Sequence, residues 1–353
     1  MSERAAATAD RHTAWTDESP DAHLLGLGAI AQIERRLADH YDLPYAVATS
    51  SATTALHGLA LALGLKSAEF ITTPYTWGGS LAGWLLCDNR VRFADVEPGT
   101  LTLDARALRA RLTSRVRSVL AVDADGVPCD MVALRSVADE AGVPLVIDAA
   151  QSLGARIGDG PASRLADAVV VSFTSRKPVS AGEGGAVLTA DRDLYERLIW
   201  WTQHPLRQRR ELGLRVVNEF GLNGRMHPAA ARHADAVFDD AMASLAATQR
   251  IGLRVCDVLR GSGLVTPWPC RERRLVPTFF RFTAQWCGRP APEQLVAVLR
   301  DAGIDAGIDA DPVRPLYTQP AFLSLYAGDR GHLDPPVPVM KAAARNGVRL
   351  LVH

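Results

Sequence analysis

The sequence predicts an α/β protein, with a large domain on a mostly parallel sheet followed by a smaller α+β domain. Three observations carry that expectation. Between about residues 45 and 190, short apolar runs rich in Val and Ile alternate with longer amphipathic ones, the pattern of βαβ units with helices on both faces of a sheet. At 353 residues the chain exceeds the usual size of a single core. After "GSGLVTPWPC" the order changes to a strand and then a helix.

In chain order, "AVATS", "FITTP", "VRFADV", "VRSVLAV", "PLVIDAA", "AVVVSF" and "GAVLTA" read as strands. They are short and rich in Val and Ile, as buried strands of a mostly parallel sheet should be. Between them "ATTALHGLALALGL", "LDARALRARL" and "DMVALRSVADEAG" carry helical spacing, and Gly142 supplies a helix stop. Residues 191–250 read as helical, with a break at "NEFGLNGRMHP". Beyond it "LVPTFFRFT" reads as one strand and "APEQLVAVLRDAG" as a helix. The expected division is a polar segment 1–24, a large domain 25–250 and a small domain 251–353.

Composition narrows the function. Lys plus Arg equals Asp plus Glu, 39 each, so no basic excess points to nucleic acid or an anionic membrane. The five cysteines are scattered, without a C-x-x-C pair, which argues against a disulfide framework or a metal site. The start, "MSERAAATADRHTAWTDESPDAH", lacks the apolar centre of a signal peptide, and no apolar run is long enough to span a bilayer. A cytoplasmic protein is expected.

In an open α/β sheet, ligands bind beyond the carboxyl ends of the strands. Four features fall there. The turn "SSATTALHG" leads into a helix and is either a plain N-cap or an anion site at a helix start. Trp77, in "TPYTWGG", is either a core residue or a plate for a flat ligand. Asp148 ends the strand "PLVIDAAQ", where a carboxylate either caps a following helix or pairs with a protonated ring nitrogen; Gln151 follows one turn on. Lys177, in "SFTSRKPVSAGEGG", is either a surface loop lysine or a desolvated nucleophile able to form a Schiff base. Taken together in this order, the four describe a ligand with a phosphate, a flat ring, a basic ring nitrogen and an aldehyde. That ligand is pyridoxal 5'-phosphate.

At these residues the sequence resembles the DegT/DnrJ/EryC1/StrS family, sugar aminotransferases of the aspartate-aminotransferase fold (fold type I). The similarity runs from about residue 25 onward, through "SSATTALHG", "TPYTW", "FADVEPGTLTLD", "VIDAAQSLGA", "SFTSRKPVSAGEGG" and "LNGRMHPAAA". The resemblance implies that Lys177 binds the cofactor covalently, that Asp148 pairs with the pyridine nitrogen, and that Gln151 lies by the ring hydroxyl. It implies that Trp77 stacks on the ring and that Ala52, Thr53, Thr54 and Ser172 hold the phosphate. It further implies a homodimer with shared active sites, in which Asn223, with Arg225, reaches the partner's cofactor. The chain departs from the family with Ser-Ala-Thr for Ser-Gly-Thr, with "LNGRMHP" for Asn-Tyr-Arg-Met-Ser, and with "QHP" for Asn-His-Gly. It also ends sooner than the resemblance leads one to expect, before a last helix.

The function implied is transfer of an amino group from glutamate or glutamine to a keto-sugar or cyclitol ketone. A branch of the family that dehydrates sugars has histidine at the lysine position; Lys177 favours transamination. The alternatives are a cyclase, dehydratase or lyase using the same lysine, or a non-catalytic cofactor-binding protein. The run "HPLRQRREL" offers Arg207, Arg209 and Arg210 either as a solvated helix face or as partners for a diphosphate or carboxylate near the site mouth.

Overall fold

In the computed structural model, which describes residues 21–352 apart from 267, 288–290, 310, 330, 331 and 333, the seven runs read as strands between 45 and 190 fold as strands of one sheet. The strands are β1 (Tyr45–Thr49), β2 (Glu69–Thr72), β3 (Arg90–Phe93), β4 (Val116–Val122), β5 (Leu145–Asp148), a small hairpin β6 (Arg156–Ile157) and β7 (Gly160–Pro161), then β8 (Ala168–Ser172) and β9 (Gly185–Thr189). The main sheet has the order β1-β9-β8-β5-β4-β2-β3. β2 pairs parallel with β3 and β4, as do β4 with β5 and β5 with β8, whereas β9 runs antiparallel to both β8 and β1. The polar segment expected at 1–24 lies outside the described residues except for its last four.

The helices are α1 (Ala29–Tyr41), α2 (Ala52–Ala62), α3 (Gly79–Leu85), α4 (Ala105–Arg111), α5 (Met131–Ala141), α6 (Arg192–Thr202), α7 (Pro205–Leu212) and α8 (Pro228–Ser262). Their starts are written in the sequence. Asp104, Asp130 and Asp191 each accept amide hydrogen bonds from the first turn they precede. α5 stops at Gly142, whose φ of 63° closes the helix end. The break at "NEFGLNGRMHP" separates α7 from α8 as expected.

The central strands are apolar on both faces because each feeds two cores. Ala121, Ile147 and Val169 face one side of the sheet with α1 and α5, while Leu120, Val146 and Val170 face the other with α2 and α6. Alternation with period two thus persists, but both faces are apolar. Burial of each such side chain contributes about 1.5–3 kcal/mol, so a charge at Val170 would break the sheet at its centre.

Past α8 come β10 (Val265–Thr266), β11 (Leu275–Val276), β12 (Phe282–Trp286), α9 (Pro292–Asp301), β13 (Ala306–Asp309), α10 (Pro320–Leu325), α11 (Pro338–Asn346) and β14 (Gly347–Val352). An antiparallel sheet of order β10-β12-β14-β13 anchors this second unit. The run "LVPTFFRFT" is not one strand. β11 pairs with β6, β12 belongs to the second sheet, and Phe279 between them has a φ of 53°. The intervening residues hydrogen-bond elsewhere: the Thr278 amide donates to the Gly126 carbonyl at 3.0 Å and its hydroxyl to the Gln151 carbonyl at 2.6 Å. Gly126 is required there. At a φ of +81°, a Cβ would stand 1.9 Å from Thr278 Oγ1.

Candidate active site

The carboxyl ends of β1, β2, β4, β5 and β8 lie along one edge of the main sheet, since β1 is antiparallel to β9 and β9 to β8. The loops beyond that edge enclose a cavity of about 570 Å³. It is lined by Ala52, Thr53, Trp77, Asp148, Gln151, Ser172 and Lys177, among others. Thr54, Asn223 and Arg225 are not among its lining residues.

At the end of β1 the Ser51 side chain accepts from the Thr54 amide at 3.0 Å and caps α2. The Thr54 hydroxyl sits 3.0 Å from both Ser50 Oγ and Ser51 Oγ, so Thr54 holds the turn from behind. Ala52 and Thr53 head the helix, where the first amides have no partner within it and the dipole favours an anion. The turn rests directly on Gly185, where a Cβ would meet the Ala52 amide nitrogen at 2.4 Å. "GEGG" therefore brings β9 under the anion turn. Ser172, at the end of β8, has its hydroxyl 3.3 Å from that of Thr174.

Asp148 is 5% exposed. Ser80 on α3 donates to its Oδ2 at 2.6 Å, and the Ala150 amide to its Oδ1 at 3.0 Å. No helix follows; residues 149–154 form turns, so Asp148 closes a turn rather than capping a helix. Burial raises its pKa above 3.8, opposed by the Ser80 and Ala150 hydrogen bonds and by the charge of Lys177. A buried acid with a lysine as its nearby cation is poised to receive a second cationic group. The Gln151 side-chain oxygen accepts from the Asp125 amide at 2.8 Å, which fixes its orientation in the wall.

Lys177 is half-buried in a turn in which its amide donates to the Thr174 carbonyl at 3.1 Å. Its Nζ lies 4.3 Å from the centre of the Phe280 ring. Burial lowers its pKa below 10.5; the Arg281 charge adds to this and Asp148 opposes it. The preceding residue, Arg176, has a φ of 75°, a conformation costing about 1–3 kcal/mol that tertiary structure must impose. Trp77 is 78% exposed while lining the cavity. That excludes a core role and leaves a broad aromatic face at the rim.

The sequence run Arg207, Arg209, Arg210 does not line the cavity. Arg207 is 1% exposed and clamped bidentately by Glu34 at 2.9 Å, with Glu211 on its Nε at 2.6 Å. The same Glu34 accepts the Ala48 amide at 2.7 Å, and Gln203 donates to the Ala48 carbonyl at 3.1 Å. These contacts satisfy the outer edge of β1, the last strand of its sheet. Its role is structural. Asn223 has a φ of 51°, and the adjoining Gly224 carbonyl accepts from the Ser50 amide at 2.7 Å. The segment therefore braces the anion turn of its own chain, while its Asn and Arg lie outside that chain's cavity.

Sequence reasoning missed the wall contributed by the second unit and its neighbours: Phe280, Arg281, Asp311, Arg314 and Arg349, with Tyr75 hydrogen-bonded to Arg349 and to Asp125 beside them. Tyr75 stands inside the quoted "TPYTW", but the others carry no local spacing signal. Phe280 and Arg281 arrive through the residues 277–281, Asp311 and Arg314 through the stretch after β13, Arg349 through β14 and Asp125 through the turn after β4, by tertiary contact alone.

The profile of the DegT/DnrJ/EryC1/StrS aminotransferase family matches residues 21–342. A UDP-2-acetamido-2-deoxy-3-oxo-D-glucuronate aminotransferase of Pseudomonas aeruginosa is 27% identical over 92% of this chain and 85% of its own. Protein MosB of Rhizobium meliloti is 33% identical over 49% of this chain, a match spanning about a third (34%) of MosB's own length. Among solved structures, DesV of S. venezuelae in complex with a ketimine intermediate superposes with a TM-score of 0.72 at 25% identity, covering 92% of this chain and 84% of DesV. Among the described residues, no helix is long and apolar enough to cross a membrane.

Proposed function

The chain belongs to the DegT/DnrJ/EryC1/StrS aminotransferase family, and we propose that it moves an amino group from glutamate or glutamine to a keto-sugar or cyclitol ketone. Its cofactor is pyridoxal 5'-phosphate, and the residues present fit that group. The start of α2 suits a phosphate, Trp77 offers an aromatic face, and buried Asp148 offers a carboxylate to a ring N–H. The observation that carries the reading is that one cavity brings Lys177 within electrostatic reach of buried Asp148.

The cofactor supplies an electron sink for the charge left when the donor's α-proton departs. Asp148 keeps the ring nitrogen protonated, and Ser80 and the Ala150 amide hold the carboxylate in place for that task. Lys177 Nζ moves the proton. Burial and Arg281 favour its neutral form, so it takes a proton at lower pH than an exposed lysine would. Gln151, fixed by the Asp125 amide, orients the ring edge. We place the cofactor-binding domain at 25–250 and the small domain at 251–353, with α8 running through the division. We also place the enzyme in the cytoplasm, as a dimer whose Asn223 and Arg225 complete the partner's site.

The test is a half-reaction. Enzyme loaded with cofactor and mixed with glutamate should release 2-oxoglutarate and leave the amine form of the cofactor. Products of elimination or dehydration in its place would assign a different reaction to the same lysine.

A further inference from the structure

Two aspartates share the turn after β4, and the fold treats them differently. Asp123 is fully buried and both its oxygens are engaged. Oδ1 accepts from the Cys129 amide at 2.9 Å, and Oδ2 from the Ser152 and Ser163 hydroxyls at 2.6 and 3.1 Å. Asp125 is 4% exposed and lines the cavity. Its Oδ2 accepts from the Tyr75 hydroxyl at 2.8 Å. Its Oδ1 accepts from no described residue, and packing does not seal it off as it seals the unpaired Tyr41 hydroxyl. That oxygen is open to the cavity.

The surroundings hold this carboxylate in one direction. Asp125 has a φ of 56°, a turn conformation in which an aspartate commonly bonds the backbone of its own turn. Here the carboxylate instead takes a hydroxyl 50 positions away in the chain. The Asp125 amide donates to the Gln151 side-chain oxygen at 2.8 Å, and its carbonyl accepts from the Arg281 amide at 3.3 Å. Tyr75 is fixed in turn: burial and the charge of Asp125 keep its proton on, and its oxygen accepts from Arg349 Nη2 at 3.2 Å. A buried acceptor left unmet is unfavourable until a donor from a ligand reaches it.

That donor is a hydroxyl rather than an ammonium. Among the described residues, five cationic side chains line the cavity against three carboxylates, so a further cation is repelled. The charges that shift Lys177 are those of Asp148 and Arg281, which leaves Asp125 to address a part of the ligand away from the reacting amine.

We infer that Asp125 is a specificity residue: its Oδ1 accepts a hydrogen bond from a hydroxyl of the amino acceptor and selects a polyhydroxylated ketone over one lacking that hydroxyl. The word acceptor rests on the function proposed above; the hydroxyl site itself does not.

Ligand-observed NMR of the cofactor-loaded protein reads the site without turnover, with myo-inositol as an unreactive cyclitol and tetrahydropyran as a ring without hydroxyls. Asp125→Gly should weaken inositol about tenfold or more and leave tetrahydropyran unaffected. Glycine adopts the positive φ without strain, and Asp125→Asn, of the same shape, keeps the test alive if the glycine variant does not fold. The asparagine should weaken inositol by a smaller factor, because its amide oxygen is an uncharged acceptor. Tyr75→Phe, which removes only the anchor of Oδ2, should lose less than Asp125→Gly. Single-turnover absorbance then assigns the ligand. The amine form of the wild-type enzyme should prefer pentahydroxycyclohexanone to cyclohexanone by about 100-fold, and Asp125→Gly should cut that preference about tenfold. An unchanged preference, or reaction with neither ketone, removes the acceptor from the inference. No inositol binding to the wild type, equal binding to Asp125→Gly, or as large a loss in Tyr75→Phe overturns the hydroxyl site. Asp125-dependent inositol binding with no glutamate half-reaction would keep the site and overturn the function.

Discussion

Asp148 sits where its charge is disfavoured, and the sign of that effect makes a prediction. Its folded pKa is raised by burial, so the folded state resists ionisation more than the unfolded chain does. The penalty is absent below the unfolded value near 3.8, where both states are protonated, and fully present above the folded value. Asp148→Asn should therefore raise the thermal midpoint of the cofactor-free protein at neutral pH, with the gain fading as pH falls toward 3.8. The same variant should raise the barrier of the glutamate half-reaction by at least ~3 kcal/mol, as loss of one aimed electrostatic group does. Melting curves across pH and single-turnover absorbance check the two halves. A variant both less stable and normally active would make Asp148 a turn residue and nothing more.

Among elements, the edge strand β1 and the segment 277–281 hold the site in shape. Removing Glu34 takes the bidentate partner from buried Arg207 and leaves it only the part-exposed Glu211 as counter-charge. Glu34→Ala should destabilise the protein by about 3–5 kcal/mol and loosen the anion turn after β1; denaturant unfolding and cofactor titration measure both. Gly126→Ala places a Cβ against Thr278 at a left-handed φ. It should cost about 1–3 kcal/mol by overpacking and expose the 277–281 segment to protease, while the main sheet stays intact by circular dichroism. The main sheet was legible because Val- and Ile-rich runs such as "AVVVSF" are dictated by burial on both faces, a property of the local sequence. Lys177, Asp148 and Trp77 were legible because they fall at strand ends. Arg281 and Arg349 were not, because Phe279 breaks an apparent strand and β14 returns to the cavity from the far end of the chain. In the arginine run of α7, Arg209 and Arg210 lie on an exposed helix face, one of the two readings the sequence offered, whereas Arg207 is buried against Glu34, a partner on a distant helix that local charge does not reveal.

At the scale of the molecule, the proposal is a dimer with two shared sites. A two-fold interface is isologous, so each subunit gives Asn223 and receives it. Mixing Lys177→Ala and Asn223→Ala subunits should then yield heterodimers with one intact site and one carrying both lesions, and activity well above the sum of the parents. No recovery after verified exchange would place Asn223 in its own chain's site. All of this depends on Lys177 being the residue that holds the cofactor and moves the proton. The most direct measurement is borohydride reduction of the cofactor-loaded protein, followed by mass analysis of its peptides. The cofactor should be fixed on the peptide containing Lys177, and Lys177→Ala should lose both the label and several orders of magnitude in turnover. Label on a different lysine, or none once cofactor is supplied, would contradict the account.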